Sequence, residues 1–311
     1  MKHLAPSIAL AALLATPLAA AEPESCATVR LSDVGWSDIT ATTAATVTVL
    51  EALGYDTKVS VLSVPVTYTG LAEGDLDVFL GNWMPTMEGD IAPYRDAGTV
   101  ETLRANLEGA KYTLATSKTL ADQGLTDFAK IAEFSDQLDD KIYGIEPGND
   151  GNRLIQGMID SDAFGLGGFT LVESSEQAML AQAAKAERQG EGIVFLGWEP
   201  HPMNANLDMV YLTGGDDVFG PDLGGATVFT NTRRGYVEEC PNVGQFLTNL
   251  VFSLQMENEI MGAILDDGVE PGKAAKEWLA ANPGILDTWL SGVTTRDGGD
   301  GLAAVHAALG I

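Results

Sequence analysis

Two segments of this chain are near copies of each other, and each has the form of a buried strand that ends at a tryptophan. The first spans Val78–Pro85 (VFLGNWMP) and the second spans Val194–Pro200 (VFLGWEP). An apolar run that stops at glycine and proline predicts a strand of an open α/β sheet, and such sheets bind ligands at the carboxyl edges of their strands. A third tryptophan, Trp36, follows the predicted strand and glycine of Val29–Gly35 in a similar way. The pattern therefore predicts a sheet edge that carries three indole rings.

Strand-like and helix-like segments alternate through the first two thirds of the chain, which favours βα units and a largely parallel sheet. Two segments, 111–116 and 209–213, are apolar enough to cross between two halves of the molecule. From Tyr236 onward the pattern is helical. We therefore expect an α/β fold of two lobes joined by a hinge, with a helical C-terminal segment. Lobe one would comprise residues 22–111 and 214–311, and lobe two would comprise residues 112–213.

The first 21 residues have the composition of a signal peptide. Lys2 and His3 precede an apolar run, and Ala19–Ala21 supply the small residues that precede a cleavage site. This run is too short to span a membrane comfortably, and no later stretch is long and apolar enough to do so. We expect cleavage after residue 21, export to the periplasm and no direct membrane insertion.

The strongly negative net charge of the chain argues against anionic binding partners. Lysine and arginine number 17 against 44 acidic residues, which gives a net charge of −27. Such an excess repels both phosphate backbones and anionic lipids, so we expect no nucleic-acid partner. A strongly solvated surface is the ordinary explanation of this acidity.

The chain has two cysteines, Cys26 and Cys240. In an oxidising compartment such a pair is expected to form one disulfide, which would place the N-terminal and C-terminal portions in one lobe. His3 lies in the predicted signal peptide and the other two histidines are isolated, so the sequence predicts no metal site.

Trp36, Trp83 and Trp198 would lie at the edges of a cleft, and Tyr112 on the predicted crossing strand would close an aromatic box around it. Boxes of this kind bind organic cations through the negative faces of their rings. A single tryptophan at a strand end is more often a core residue. Three tryptophans in the same strand-end context are what indicate a ligand site here.

Two polar residues lie beside the predicted box, and each has an ordinary structural alternative. Asp38 either caps the first helix or supplies a carboxylate that attracts a cation and accepts a hydrogen bond from a ligand hydroxyl. Asn149, in the loop 145–152, either belongs to a tight turn or presents its amide to the hydroxyl end of a ligand. A carboxylate at Asp38 would favour an alcohol such as choline over a zwitterion such as betaine.

Motifs of catalysis and of nucleotide binding are absent from the sequence. It contains no Gly-x-Ser-x-Gly nucleophile elbow and no Gly-x-Gly-x-x-Gly segment that opens a helix. We therefore expect no enzymatic activity and no cofactor. Two alternatives stay open: a carbohydrate receptor with stacked tryptophans, and an enzyme that acts on choline esters.

Four segments resemble a known family, the periplasmic quaternary-ammonium substrate-binding proteins of ABC importers, and in particular its choline-binding members. The segments are DVGWSDIT at 33–40, VFLGNWMP at 78–85, YGIEPGNDGNR at 143–153 and FLGWEPH at 195–201. The resemblance runs across nearly the whole mature chain.

The resemblance implies that Trp36, Trp83, Tyr112 and Trp198 surround a trimethylammonium group while Asp38 and Asn149 bind the hydroxyl end of choline. It also implies two α/β lobes that close on the ligand, a disulfide between Cys26 and Cys240, and delivery to an inner-membrane permease driven by a separate ATPase. Glycine betaine and acetylcholine are the alternative ligands. We expect the receptor to be a monomer.

Overall fold

A computed structural model describes residues 22–311, so the predicted signal peptide lies outside the described residues. Within this range the chain forms one mixed sheet. Its strands are β1 (Thr28–Asp33), β2 (Asp56–Val61), β3 (Val78–Met84), β4 (Val100–Ser117), β5 (Lys141–Tyr143), β6 (Thr170–Val172), β7 (Val194–Glu199), β8 (Met209–Tyr211) and β9 (Gly225–Arg233).

The helices surround this sheet, and the segment that follows β9 is helical. They are α1 (Ser37–Ala52), α2 (Val64–Glu73), α3 (Glu88–Asp96), α4 (Lys118–Ala121), α5 (Ser135–Leu138), α6 (Asp150–Asp160), α7 (Glu176–Gln189), α8 (Met203–Asn206), α9 (Asp216–Phe219), α10 (Pro221–Gly224), α11 (Tyr236–Glu239), α12 (Pro241–Asn249), α13 (Leu254–Leu265), α14 (Pro271–Ala281), α15 (Gly284–Trp289) and α16 (Gly301–Leu309). None of the helices between residues 22 and 311 combines the length and apolar character needed to cross a bilayer.

The strand order is β2-β1-β3-β9-β4-β7-β5-β6, and β8 pairs with β4 outside this path. Strands β1, β2 and β3 are parallel at one end of the sheet, and β5, β6 and β7 are parallel at the other. We call these two groups of strands, with their connecting helices, the first half and the second half. The long strands β4 and β9 lie antiparallel to each other between the halves. The prediction of a largely parallel sheet therefore holds within each half and is wrong at the centre.

The crossing strands differ from the predicted ones. The crossing strand expected at 111–116 extends over Val100–Ser117, because its long N-terminal part pairs with β9. The strand expected to cross back at 209–213 instead pairs with β4 as the short β8. The strand that returns along β4 is Gly225–Arg233 (GATVFTNTR). It follows the cluster of glycine and aspartate residues, and its mixture of polar and apolar residues did not predict a strand.

The two near-copies form β3 and β7, one in each half, and each strand runs on through its tryptophan. The shared glycine is required by close packing in both. A Cβ atom at Gly81 would lie 2.7 Å from Cδ1 of Ile39 in α1, and one at Gly197 would lie 3.1 Å from the Cβ of Ala115 in β4. Both strands end at a proline that follows a cis peptide bond.

The C-terminal helices pack against the first half. Helices α13, α14 and α16 all contact α1 or one another, and Trp289 at the end of α15 is fully buried. Cys26 and Cys240 form a disulfide that ties the segment before β1 to the start of α12. The predicted disulfide is therefore present, and the C-terminal region packs with the N-terminal one.

Candidate functional site

One buried cavity brings together all six residues that the sequence nominated. It lies between the two halves, and its space, including the part that is open to solvent, is about 280 Å³. Its lining residues are Trp36, Asp38, Trp83, Tyr112, Ile145, Asn149, Asp150 and Trp198. The residues come from the ends of β1, β3, β5 and β7, from the central strand β4 and from the starts of α1 and α6, so the site lies where both halves meet.

Four aromatic rings form the walls of this cavity. The ring of Tyr112 lies 6.1 Å from that of Trp83 at an interplanar angle of 59°, and 6.4 Å from that of Trp198 at 74°. Tyr112 thus bridges a tryptophan of the first half and a tryptophan of the second. All four rings are nearly buried, with exposed fractions of 4–5 %. Tilted rings around one enclosed space suit a compact cation that presents methyl groups in several directions.

Trp36 lies between β1 and α1 and is fixed from the second half. It occupies the N-cap position of α1, and its indole Nε1 donates a hydrogen bond to Oε1 of Glu146 at 2.8 Å. Burial raises the pKa of Glu146 to about 7, although the bond from Trp36 opposes this shift. The orientation of this wall therefore depends on a residue of the loop after β5.

Asp38 lies in the first turn of α1 and faces the cavity. The helix begins at Ser37 with Trp36 as its N-cap, so Asp38 is not the N-cap that the structural alternative required. Oδ2 of Asp38 accepts a hydrogen bond from Nε1 of Trp83 at 3.1 Å. Burial, together with the nearby Glu176 carboxylate, raises the pKa of Asp38 to about 8, against the opposing effect of backbone amides and of Trp83. Asp38 is only 1 % exposed.

Asn149 caps a helix, as the structural alternative predicted, and also lines the cavity. It is the N-cap of α6, where Oδ1 accepts a hydrogen bond from the Asn152 amide at 3.1 Å. The same oxygen accepts from the Tyr112 hydroxyl at 2.9 Å, which fixes that ring in the wall. Nδ2 donates one hydrogen bond, to Asp150 at 3.2 Å, and an amide nitrogen has two hydrogens to donate. Asn149 therefore organises one end of the cavity.

Two lining residues were missed by the sequence analysis, Ile145 and Asp150. Asp150 is buried, and its Oδ2 makes no hydrogen bond to any residue in the described range 22–311. Burial raises the pKa of Asp150 to about 6, although the nearby Thr86 hydroxyl opposes this shift. Its position directly after Asn149 could have indicated it. Asn149 is the N-cap of α6 and Asp150 is the first residue of that helix, so both side chains can reach the same cleft.

Acidic side chains surround the cavity. Among the described residues, Asp38 and Asp150 line the cavity, and no lysine or arginine does. Behind α1, the buried Glu257 of α13 has a pKa raised well above its usual value by burial and by the proximity of Asp38. A cation that enters the cavity would favour the ionised forms of Asp38 and Asp150 and be stabilised by them, and an anion would be repelled by the same carboxylates.

The site can bind a small organic cation that has one polar end. Its aromatic walls present ring faces, its acidic residues supply charge, and Asn149 with Asp150 offers a donor and an acceptor at one end. Both cysteines are joined in the disulfide and neither is a free thiol.

Comparisons with known proteins agree with this geometry. The family description "Substrate binding domain of ABC-type glycine betaine transport system" (OpuAC) matches residues 27–281. A solved ABC-transporter choline-binding protein in complex with choline is 69 % identical, with a TM-score of 0.92 over 93 % of this chain and 100 % of that chain. An unliganded, semi-closed ABC-transporter choline-binding protein is 68 % identical, with a TM-score of 0.86 and the same coverage.

A more distant relative is the glycine betaine/carnitine transport binding protein GbuC of Listeria monocytogenes, which is 30 % identical over 166 residues, 53 % of this chain and 54 % of GbuC. The α/β fold of two lobes predicted from the sequence is confirmed by these relatives. The chain belongs to the family of substrate-binding domains of ABC-type glycine betaine transport systems.

Proposed function

We propose that this protein captures choline in the periplasm and delivers it to the permease of an ABC importer. The observation that carries the proposal is the enclosed cavity walled by Trp36, Trp83, Tyr112 and Trp198, with the Asp38 carboxylate among the rings. The choline complex of a 69 % identical protein supports the same ligand.

Choline suits this cavity because its trimethylammonium group has a diffuse charge and no hydrogen to donate. Recognition must then come from ring faces that pack around the methyl groups, and a cation–π contact contributes about 2 kcal/mol or more when water is excluded. The four rings would supply this packing, and Asp38 would add charge attraction without requiring a direct salt bridge.

The hydroxyl end of choline would lie against Asn149 and Asp150. The second hydrogen on Nδ2 of Asn149 is available to the hydroxyl oxygen, and the unbonded Oδ2 of Asp150 is available to the hydroxyl hydrogen. Asp38 would then act mainly at the cationic end, where it holds Trp83. The resemblance placed both Asp38 and Asn149 at the hydroxyl end of choline. In this assignment Asn149 stays at the hydroxyl end and Asp38 acts at the cationic end.

Closure of the two lobes on the ligand would produce the form that the permease recognises. We assign residues 22–111 and 214–311 to one lobe and 112–213 to the other. A ligand that contacts both lobes only when they are closed shifts the equilibrium toward the closed form. We further propose that the protein is a monomeric receptor without enzymatic activity, exported by the N-terminal signal peptide of residues 1–21.

Glycine betaine is the second candidate, because the matched family description names it. The acidic lining argues against a ligand that carries its own carboxylate, since Asp38 and Asp150 would repel it whenever they are ionised.

The test is a titration of the mature protein with choline, glycine betaine and acetylcholine, followed by intrinsic tryptophan fluorescence. A saturable response that is strongest for choline supports the proposal, and a response to betaine alone would replace choline with the second candidate. Incubation with acetylcholine, with assay of released choline, tests the absence of hydrolysis.

A further inference from the structure

A buried carboxylate outside the cavity joins the two halves. Glu176 opens α7 in the second half and is 1 % exposed. Its Oε2 accepts a hydrogen bond from the backbone N–H of Ser37 at 3.0 Å, and its Oε1 accepts one from the Ser37 hydroxyl. Ser37 is the first residue of α1 in the first half. These bonds therefore cross from one half to the other.

A carboxylate is the side chain that this position requires, because three donors converge on it. Besides the two donors of Ser37, Nε2 of His201 lies 3.2 Å from Oε1 of Glu176. Nδ1 of His201 accepts a hydrogen bond from the Met203 amide at 2.9 Å, so the ring hydrogen is on Nε2 and points at Glu176. Trp36 makes no side-chain cap to α1, so Glu176 supplies the missing acceptor at the helix start.

Glu176 also connects two walls of the cavity without lining it. Ser37 lies between Trp36 and Asp38, two of the lining residues. On the other side, the ring of His201 packs edge-on against the ring of Trp198, with centroids 5.0 Å apart. A shift of Glu176 would thus move the wall contributed by α1 relative to the wall contributed by β7.

We propose that Glu176 is a positioning residue that stabilises the closed arrangement of the halves and so slows release of the ligand. This inference rests on the proposed function for the identity of the ligand. When the halves separate, water replaces Ser37 around the carboxylate; when they close, the carboxylate loses water and gains the two bonds from Ser37. Truncating or neutralising one partner of such a buried charged contact acts mainly on the dissociation rate.

The decisive variant is Glu176→Gln, which keeps the shape of the side chain. A glutamine has one acceptor oxygen, and its NH₂ group would face one of the three donors. We expect choline to dissociate about tenfold faster in stopped-flow fluorescence, with an association rate close to that of the unmodified protein. The matched control is Glu173→Gln, because exposed Glu173 accepts a bond from Asn152 within the second half alone. Choline should dissociate from Glu173→Gln at the same rate as from the unmodified protein.

A second variant, Ser37→Ala, removes only the hydroxyl donor and should move the dissociation rate in the same direction by a smaller factor. The two changes combined should be less than additive, because they disrupt the same contact. If Glu176→Gln and Ser37→Ala both release choline at the unmodified rate, Glu176 does not hold the halves together. A variant that is only less heat-stable, with normal release, would likewise overturn the inference.

The proposed function and this inference fail in distinguishable ways. If the unmodified protein binds no choline, the proposed function is wrong. The distance between spin labels placed at Glu73→Cys and Asp160→Cys, one on each half, then tests Glu176 without ligand. A population that shifts to longer distances in Glu176→Gln supports the inference, and identical distance distributions contradict it.

Discussion

Nε1 of Trp83 donates a hydrogen bond to Oδ2 of Asp38 at 3.1 Å inside the cavity. The bond joins the end of β3 to the first turn of α1 and fixes the orientation of one aromatic wall. The same carboxyl group lines the cavity beside that wall. One residue therefore both holds a ring of the box and provides the charge that a bound cation would meet.

Replacing Asp38 with asparagine should separate these two roles. Asp38→Asn keeps an oxygen that can accept from Trp83 and removes the charge, so we expect choline to bind about ten- to thirtyfold more weakly. Binding of the uncharged tert-butyl isostere of choline to the same variant is the control, and calorimetry should show it nearly unchanged. Equal losses for both ligands would mean that Asp38 is needed for the shape of the cavity and not for its charge.

Choline affinity should rise with pH between about 6 and 8. Burial raises the pKa of Asp38 to about 8, so below that pH a cation must displace a proton before it meets an ionised carboxylate at Asp38. The raised pKa values of Glu146, about 7, and of Asp150, about 6, act in the same direction.

Titration calorimetry in buffers of different ionisation enthalpy measures the protons released. We expect close to one proton per choline near pH 7 from the unmodified protein, and fewer from Asp38→Asn. A dissociation constant that does not change from pH 6 to pH 8 would show that Asp38 is already ionised before the ligand arrives.

Removing either tryptophan of the two near-copies should weaken binding strongly. Trp83→Ala and Trp198→Ala each remove a wall, and we expect about a tenfold or greater loss of choline affinity. Trp278→Ala is the matched control, since Trp278 lies on α14, partly buried, and bonds to Glu259 far from the cavity lining. A tryptophan whose removal leaves the affinity measured by calorimetry unchanged does not belong to the box.

A buried ion-pair cluster should control acid stability. Asp77 is buried just before β3 and accepts hydrogen bonds from Arg30 at 2.7 and 2.9 Å and from Arg233 at 2.8 Å, so it links β1, β3 and β9. Burial raises the pKa of Asp77, but the bonds from Arg30 and Arg233 outweigh this and leave it lowered. The stability that Asp77 contributes is therefore present above pH 4 and lost as pH falls.

We expect Asp77→Ala to lower the free energy of unfolding at pH 7 by about 3 kcal/mol, because it leaves two arginines partly buried without a partner. Urea denaturation at pH 7 and pH 3 measures this, with the neighbouring exposed Asp75→Asn as control. If the difference between Asp77→Ala and the unmodified protein is the same at both pH values, the cluster does not account for the acid sensitivity.

The sequence was sufficient to predict the parts of the site that follow from local patterns. Trp83 and Trp198 were found because an apolar run that ends at glycine and proline repeats, and Gly81 and Gly197 proved to be required by close packing. Trp36 was found by the same pattern after β1. The long central strands were harder, since β9 has neither alternation nor a strongly apolar composition and is a strand because β3 and β4 pair with it on both sides.

Residues that act through contacts distant in sequence could not be predicted. Glu176 and Ser37 are 139 positions apart, and nothing near either residue indicates that they meet. Glu257 is buried beside Asp38 although it lies in an ordinary helical segment. Asp38 itself had two predicted roles, and only the start of α1 at Ser37 shows that it is not the N-cap.

We propose that ring faces around a positive charge account for ligand recognition. The most direct test is calorimetric titration of the unmodified protein with choline and with its uncharged tert-butyl isostere, which match in shape and in the hydroxyl group. The account predicts that choline binds at least about a hundredfold more tightly, because cation–π attraction and the Asp38 charge act on choline alone. Equal affinities would contradict it.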